Sequence, residues 1–419
     1  MRGRISAMAL AGAACVLLVL PCPAAASISR SRLRHGLANQ MQRVGGASGA
    51  WVSDIDAPGD RTLFSSSGHT ARVLASNSKL FTTAAVLGRF GPDRRLETRL
   101  YPRRAGTIRH GVVHGSLVIV GDGDPALASA RFAAGHGLPQ TPLGSLAGQV
   151  RKAGIKKVTG KVRADDSVFD RRRGVPTTGV DATGELGPLS GLSYDSGFAN
   201  GHYAKSPELV AARALRGKLR HLGVRVMGGV GRADLTAAAL EGHPLAAVDS
   251  PEIRSLIAAT NTPSNNFFAE MLLKRLAARS GAHGTTRRGA RKVERFAHRL
   301  GTGVRMEDGS GLSRRNRASP RQVGRLLIAM DRGRDAGPYR DSLAIAGEEG
   351  TIAGRMRGTA AQGRCRAKTG TLIGVSALSG LCRAGHGLVA FSFLFNAVDT
   401  TLAEKAEDRM AALIARYRP

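Results

Sequence analysis

Residues 74–87, Leu-Ala-Ser-Asn-Ser-Lys-Leu-Phe-Thr-Thr-Ala-Ala-Val-Leu, constrain this chain more than any other stretch. The run is apolar and alanine-rich, so it reads as a helix that Leu80, Phe81, Ala84, Ala85 and Leu87 draw into a core. Ser76 and Lys79 stand at its head, three residues apart, and residues so spaced share a helix face. A serine hydroxyl is a weak nucleophile at neutral pH and needs a base within hydrogen-bond reach. A lysine serves as that base when burial and neighbouring positive charge lower its pKa. The bland alternative is a capping serine followed by a solvated lysine. This is the only Ser-x-x-Lys in the chain, and its meaning depends on the partners found downstream.

The chain opens with Arg2 and Arg4, an apolar run over residues 8–20, and then Pro-Cys-Pro-Ala-Ala-Ala. That pattern predicts a signal peptide (residues 1–26) cut after Ala26, and hence an exported protein in the periplasm or extracellular envelope. The run is short for a transmembrane helix, and no later segment is long and apolar enough to span a bilayer. The formal charge of +31 favours anionic partners, and export points to the polymers of a cell envelope. Nucleic acid is not expected, because aromatics are only 4% and none interleave with a basic run. Arginine enrichment from genome composition is an equally plain source of the charge.

The 419 residues suffice for more than one domain. Leu33, Leu37 and Met41 mark an amphipathic first helix over residues 28–44. Two strands, 50–55 and 61–64, bracket a turn at Ala57, Pro58, Gly59 and Asp60. From about Gly91 the texture changes to short β-like runs separated by turns. Within them Asp165, Asp166 and Asp170 gather at a strand end, which reads as turn chemistry or as a contact for a cationic part of a substrate. Helical periodicity returns at 206–222 and again from Pro251. Ser264-Asn265-Asn266 precedes a helix with Phe268, Leu272 and Leu276 on its apolar face. The glycine-rich stretch 308–316 leads to Ser319-Pro320, a helix start. Three strands, at 365–372, 375–381 and 387–396, and a helix at 401–417 end the chain.

Ser76-x-x-Lys79, Ser264-x-Asn266 and Lys368-Thr369-Gly370 thus occur in order. This set is shared by penicillin-binding proteins and serine β-lactamases, where Lys-Thr-Gly lies on a strand lining the cleft. With Asp308-Gly309-Ser310-Gly311-Leu312-Ser313-Arg314 and Ala367 to Leu372, the chain resembles the class C low-molecular-mass penicillin-binding proteins, the D-alanyl-D-alanine carboxypeptidase/endopeptidase family. The resemblance runs from about Ala50 to the C-terminus. It implies an α+β fold: a transpeptidase/β-lactamase-like domain, with an antiparallel sheet flanked by helices, built from 27–92 and 250–419. A mostly β inserted domain would occupy 93–249, towards the short end for the family. Leu74 stands where the family usually has proline.

The resemblance also implies roles. Ser76 attacks the carbonyl of the penultimate D-alanine of a peptidoglycan stem peptide, and Lys79 takes its proton, kept neutral in part by Lys368. Ser264 relays a proton to the leaving amine, and Asn266 binds a substrate amide. The N–H groups of Ser76 and Thr371 form an oxyanion hole. Lys368 and Thr369 hold the terminal carboxylate, and the peptide lies along the Thr369–Gly370–Thr371 strand. Asp165 and Arg314 would meet the amine and carboxylate ends of a diaminopimelate side chain. β-Lactams would acylate the same serine. No metal-ligand pattern or cofactor motif is visible. A serine β-lactamase and a catalytically silent, basic wall-binding protein are the alternatives. The first lacks a visible deacylation base, and the second leaves the ordered motifs without a use.

Two cysteines, Cys365 and Cys382, lie beyond the signal segment. A tight hairpin turning at Ile373-Gly374 would set them directly opposite each other, within disulfide reach. A longer turn or a bulge would shift the register and leave two reduced, buried thiols.

Overall fold

Period-2 alternation along the strand Leu388–Asn396 organises the molecule. Ala390 and Leu394 face one way, into a core with Leu80, Phe81, Leu272 and Leu326. Phe391, Phe393 and Phe395 face the other, against Leu33, Leu37, Met410 and Ile414. A strand apolar on both faces must be covered on both, and helices supply the cover. The computed structural model describes residues 27–57, 61–104, 107–175, 184–233, 242–279 and 281–419. The predicted signal segment, and Pro58, Gly59 and Asp60 of the predicted turn, lie outside the described residues.

The strand is fourth in an antiparallel sheet of six, in the order Ala344–Ile345, Cys365–Leu372, Val375–Arg383, Leu388–Asn396, Ala47–Asp54, Thr62–Ser66. Helices Arg30–Val44 and Thr400–Arg416 lie on the phenylalanine face. There the chain ends meet, the Ile28 N–H donating to the Arg416 carbonyl at 2.9 Å. Helices Ser78–Phe90, Ile253–Asn261, Asn266–Ala277, Thr286–Arg299 and Pro320–Asp331 build the opposite core. Each fully buried leucine or phenylalanine there contributes roughly 1.5–3 kcal/mol. Ser319 caps Pro320–Asp331 through a capping box with Gln322. Among the described residues no helix is long and apolar enough to cross a membrane.

Residues between Glu97 and Asp249 make separate sheets around a core of their own. One has five strands, ordered Val230–Arg232, Val162–Asp165, Leu117–Val120, Glu97–Pro102, Ala246–Asp249. Another has four, ordered Arg225–Val226, Lys157–Val158, Val112–Val113, Ile108–Arg109. Helices share this segment with its strands. Gly144–Lys152 and Pro207–His221 bury Leu146, Val150, Leu215 and Leu219 in its core. Several of its strands pair in parallel, and such pairs need crossover connections, for which helices serve.

The hairpin has the predicted tight register: Cys365 pairs with Cys382, Lys368 with Ser379 and Leu372 with Val375. Gly374 takes the turn at φ 68°. Cys365 and Cys382 are bonded, with Cα atoms 4.0 Å apart. Side chains alternate along a strand, so Cys365 and Ala367 join the phenylalanine-face core while Lys368 points to the other side. The disulfide therefore braces the strand from behind. The double variant Cys365→Ala/Cys382→Ala is expected to lose roughly 3 kcal/mol of stability in equilibrium denaturation of the oxidised protein. A loss below about 0.5 kcal/mol, the size of an ordinary surface substitution, would show that the sheet alone holds this hairpin.

Candidate active site

The segment before the first core helix is a 3-10 turn, Ala75–Asn77, running into Ser78–Phe90. Ala75 enters it at φ 46°, a left-handed conformation that costs an L-residue about 1–2 kcal/mol. Strain of this kind persists where surrounding structure fixes the backbone, and here two glycines do so. A Cβ on Gly370 would lie 2.8 Å from the Leu74 carbonyl oxygen, and one on Gly311 would lie 1.9 Å from that of Ala75. The Asn77 side-chain amide adds a hydrogen bond to the Lys368 carbonyl at 3.1 Å. The turn is thus held between the Cys365–Leu372 strand and the 308–316 stretch.

Lys79 is fully buried. Its Nζ lies 2.8 Å from Ser76 Oγ, 2.7 Å from Asn266 Oδ1 and 2.7 Å from the Ser310 carbonyl oxygen. The Asn266 orientation is supported by its Nδ2, which donates to the Glu185 carbonyl at 3.2 Å. Two of the three partners of Lys79 are carbonyl oxygens, which only accept. A neutral amine has two N–H groups for them and a lone pair left for the Ser76 hydroxyl, whereas an ammonium would donate to all three oxygens. Burial brings the Lys79 pKa down to about 7, against the pull of Asp308, Glu270 and Glu185. The lowered pKa is what frees the amine to act as a base.

Lys368 is buried as well, and its pKa is held well below the usual lysine range, by burial first and by Lys79 second. The expectation that Lys368 keeps Lys79 neutral needs this adjustment: desolvation does most of the work at Lys79. The Lys368 Nζ donates to the Thr369 carbonyl at 3.0 Å, and Thr369 Oγ1 donates to Thr351 Oγ1 at 2.8 Å. Gly370 is buried against the turn, whereas Thr371 is exposed on the strand.

Ser264 is not the cap of its helix. Asn265 is, accepting from the Phe268 N–H at 3.0 Å. Ser264 precedes it at φ 62° and, with Asn266 and Glu185, borders a cavity of about 360 Å³. The hydrogen bonds therefore join Ser76, Lys79 and Asn266 directly and tie in the Lys368 main chain, with Ser264 at the adjoining cavity.

The structure does not bring Asp165 into this network. It is buried and its Oδ1 accepts from the Ser167 N–H at 2.8 Å, the Asx arrangement of a turn. Its neighbours are structural too: Asp166 pairs with Arg173, and Asp170 with the buried Lys274 at 2.6 Å. With Asp122 on Arg275, this pins the insertion to the helix that starts at Asn266. Arg314 is exposed and donates to the Ile373 carbonyl at the hairpin tip, 2.9 Å away.

Several groups outside the Ser-x-x-Lys, Ser-x-Asn and Lys-Thr-Gly motifs support the site. Asp308 closes the glycine-rich stretch by accepting from the N–H groups of Gly311 and Ser313 and from Asn316 Nδ2. Thr82 Oγ1 donates to the Gly309 carbonyl at 2.9 Å. Glu270 lies one helical turn past Asn266, a spacing that shares a face and was the one available signal.

The sequence profile of the D-Ala-D-Ala carboxypeptidase 3 (S13) family matches residues 33–186 and 190–417. The chain is 30% identical to a D-alanyl-D-alanine carboxypeptidase of an Actinomadura species, over 89% of this chain and 82% of that one. Its fold is similar to the crystal structure of penicillin binding protein 4 from Haemophilus influenzae, with TM-score 0.74 and 22% identity, covering 89% of this chain and 97% of that one. A second structure of that protein, in complex with a β-lactam, matches with TM-score 0.70 and 20% identity, covering 89% and 97%. With its profile match spanning nearly the whole chain, the protein belongs to the D-Ala-D-Ala carboxypeptidase 3 (S13) family.

Proposed function

We propose that the protein is an exported serine carboxypeptidase and endopeptidase that cleaves D-alanyl-D-alanine bonds of peptidoglycan stem peptides through an acyl-enzyme. Residues 27–92 and 250–419 form its catalytic unit, and 93–249 the insertion. The observation that carries this is the coordination of Lys79: two carbonyl acceptors, and Ser76 Oγ at 2.8 Å on the remaining position.

Ser76 Oγ attacks the carbonyl carbon of the penultimate D-alanine while its proton passes to Lys79 Nζ. The N–H groups of Ser76 and Thr371 receive the developing oxyanion, each contributing about 3 kcal/mol in the transition state. As the tetrahedral intermediate collapses, the leaving amine takes a proton through the Ser264 hydroxyl, and D-alanine departs. Lys368 and Thr369 bind the terminal carboxylate until then. Water hydrolyses the ester. A β-lactam acylates Ser76 in the same way, but its amine stays tethered. A dedicated β-lactamase needs a base for rapid deacylation, and a silent wall-binding protein has no use for a neutral buried lysine beside a serine.

The direct test is labelling by a fluorescent penicillin followed by peptide mapping. Trypsin releases residues 73–79, which contain both Ser76 and Ser78, so fragmentation must place the adduct. An adduct on Ser78, or none anywhere, sinks this reading. The acylation rate should also rise with pH through about 7, as Lys79 loses its proton. An ordinary lysine would put that limb near 10.4, and a profile rising only there would show that Lys79 is not the base.

A further inference from the structure

Glu270 is fully buried on the helix Asn266–Ala277. Its Oε1 accepts from the N–H groups of Gly309 at 2.8 Å and Ser310 at 2.7 Å. Its Oε2 has no hydrogen-bond partner among the described residues. Ser310 therefore has its N–H on Glu270 and its carbonyl on Lys79 Nζ, at 2.7 Å in each case. A single residue joins a buried acid to a buried amine. Burying a carboxylate with one oxygen unpaired is costly, and Asp308 already closes this loop from the other side. Holding the loop shut does not explain an ionisable group here.

We propose that Glu270 is a positioning residue for acylation: it aims the Ser310 carbonyl at Lys79, and its charge sets the pH at which Lys79 becomes a free amine. The proposal rests on the reading of Lys79 as the base. Four other charged groups face the pair. Asp308 from the glycine-rich loop and Glu185 from the insertion favour the protonated form of Lys79, as does Glu270 itself. Lys368 lies close enough for Lys79 to lower its pKa. Lys274, on Glu270's own helix, feels the Glu270 charge. Burial, with the charge of Asp308 second, raises Glu270 to about 7, against hydrogen bonding from the Ser310 side chain and from the Ser310 and Gly309 main chain. Lys79 stands near the same value from the other direction. The charge acts in one direction: an ionised Glu270 favours the protonated form of Lys79, and an uncharged side chain at 270 favours the free amine.

Two variants separate the roles. Glu270→Gln keeps an oxygen for both N–H groups and removes the charge. Glu270→Ala removes the acceptor. The measurement is the second-order rate of acylation by a fluorescent penicillin across pH 5–10 on the folded, full-length protein. Loss of the charge should move the rising limb to lower pH by roughly one unit in Glu270→Gln. Loss of the acceptor should lower the plateau in Glu270→Ala by about a hundredfold, the effect of a misaimed base. A Glu270→Gln limb that coincides with wild type overturns the proposal, whatever the alanine variant does. In that case, labelled wild-type protein leaves the functional reading standing. Wild-type protein that takes no label at all sinks both.

Discussion

Replacing Ser76 with alanine is expected to abolish penicillin labelling and D-alanine release together, and Lys79→Arg to lower both by about a thousandfold or more. The two effects have different origins. Alanine removes the oxygen that forms the ester. Arginine keeps a cation and hydrogen-bond donors at the site, but a guanidinium stays protonated and has no lone pair to offer. It also cannot reproduce the three contacts of an amine that sits between Ser76, Asn266 and Ser310. Lys79 is fully buried, so a guanidinium there must either displace Asn266 and the 308–316 loop or remain badly desolvated. Thermal unfolding of both variants should accompany the rates. Ser76→Ala should melt close to wild type, because Ser76 is only partly buried and its hydroxyl has Lys79 as its hydrogen-bond partner. If Lys79→Arg acylates at the wild-type rate at neutral pH, another group takes the proton, and the two carbonyl contacts of Lys79 do not mark a base.

How much of this site could be read beforehand depends on whether a residue's role is local or is created by contacts across the fold. Ser76 and Lys79 meet because a three-residue spacing on one turn brings them together, whatever surrounds them. The hairpin register was equally local: a two-residue turn and strict alternation leave one partner for Cys365. Glu270 and Asp308 differ. Each is an acid in a basic protein, and only the fold shows that one accepts from Gly309 and Ser310 while the other accepts from Gly311 and Ser313. The cap of the Asn266 helix is another role that only the fold assigns. Serine and asparagine both cap well, and the choice of Asn265 follows from the left-handed backbone at Ser264. The insertion was hardest to read because strands such as Lys157–Val158 and Arg225–Val226 are too short to show a period. Asp165 shows why a charge is hard to read without its surroundings. An acid at a strand end looks the same in sequence whether it serves its own turn, as its Oδ1 does here, or a substrate.

Gly311→Ala is expected to impair acylation by more than about a hundredfold, although residue 311 contributes no side-chain chemistry. A Cβ there would lie 1.9 Å from the Ala75 oxygen, 2.3 Å from the Ala75 carbonyl carbon and 2.9 Å from the Ser76 nitrogen. These are backbone atoms, so no flexible side chain can give way. Gly311 is also at φ 92°, which an L-residue adopts only under strain. Either the turn moves away from the 308–316 loop, or the loop retreats and takes the Ser310 carbonyl from Lys79. Both outcomes spoil the aim of the serine and its base. Stability should fall as well, by roughly 2 kcal/mol or more, from overpacking together with backbone strain. Gly374→Ala supplies the comparison. Gly374 has a positive φ of 68° at the hairpin tip, but its Cβ would meet nothing within 4 Å. That variant should lose about 1 kcal/mol from backbone strain and stay within a few-fold of wild type in acylation. Measured side by side, the pair separates glycine needed for conformation from glycine needed for close approach. Equal acylation rates in the two variants would show that the contact between Gly311 and the Ser76 turn is not what holds the nucleophile in place.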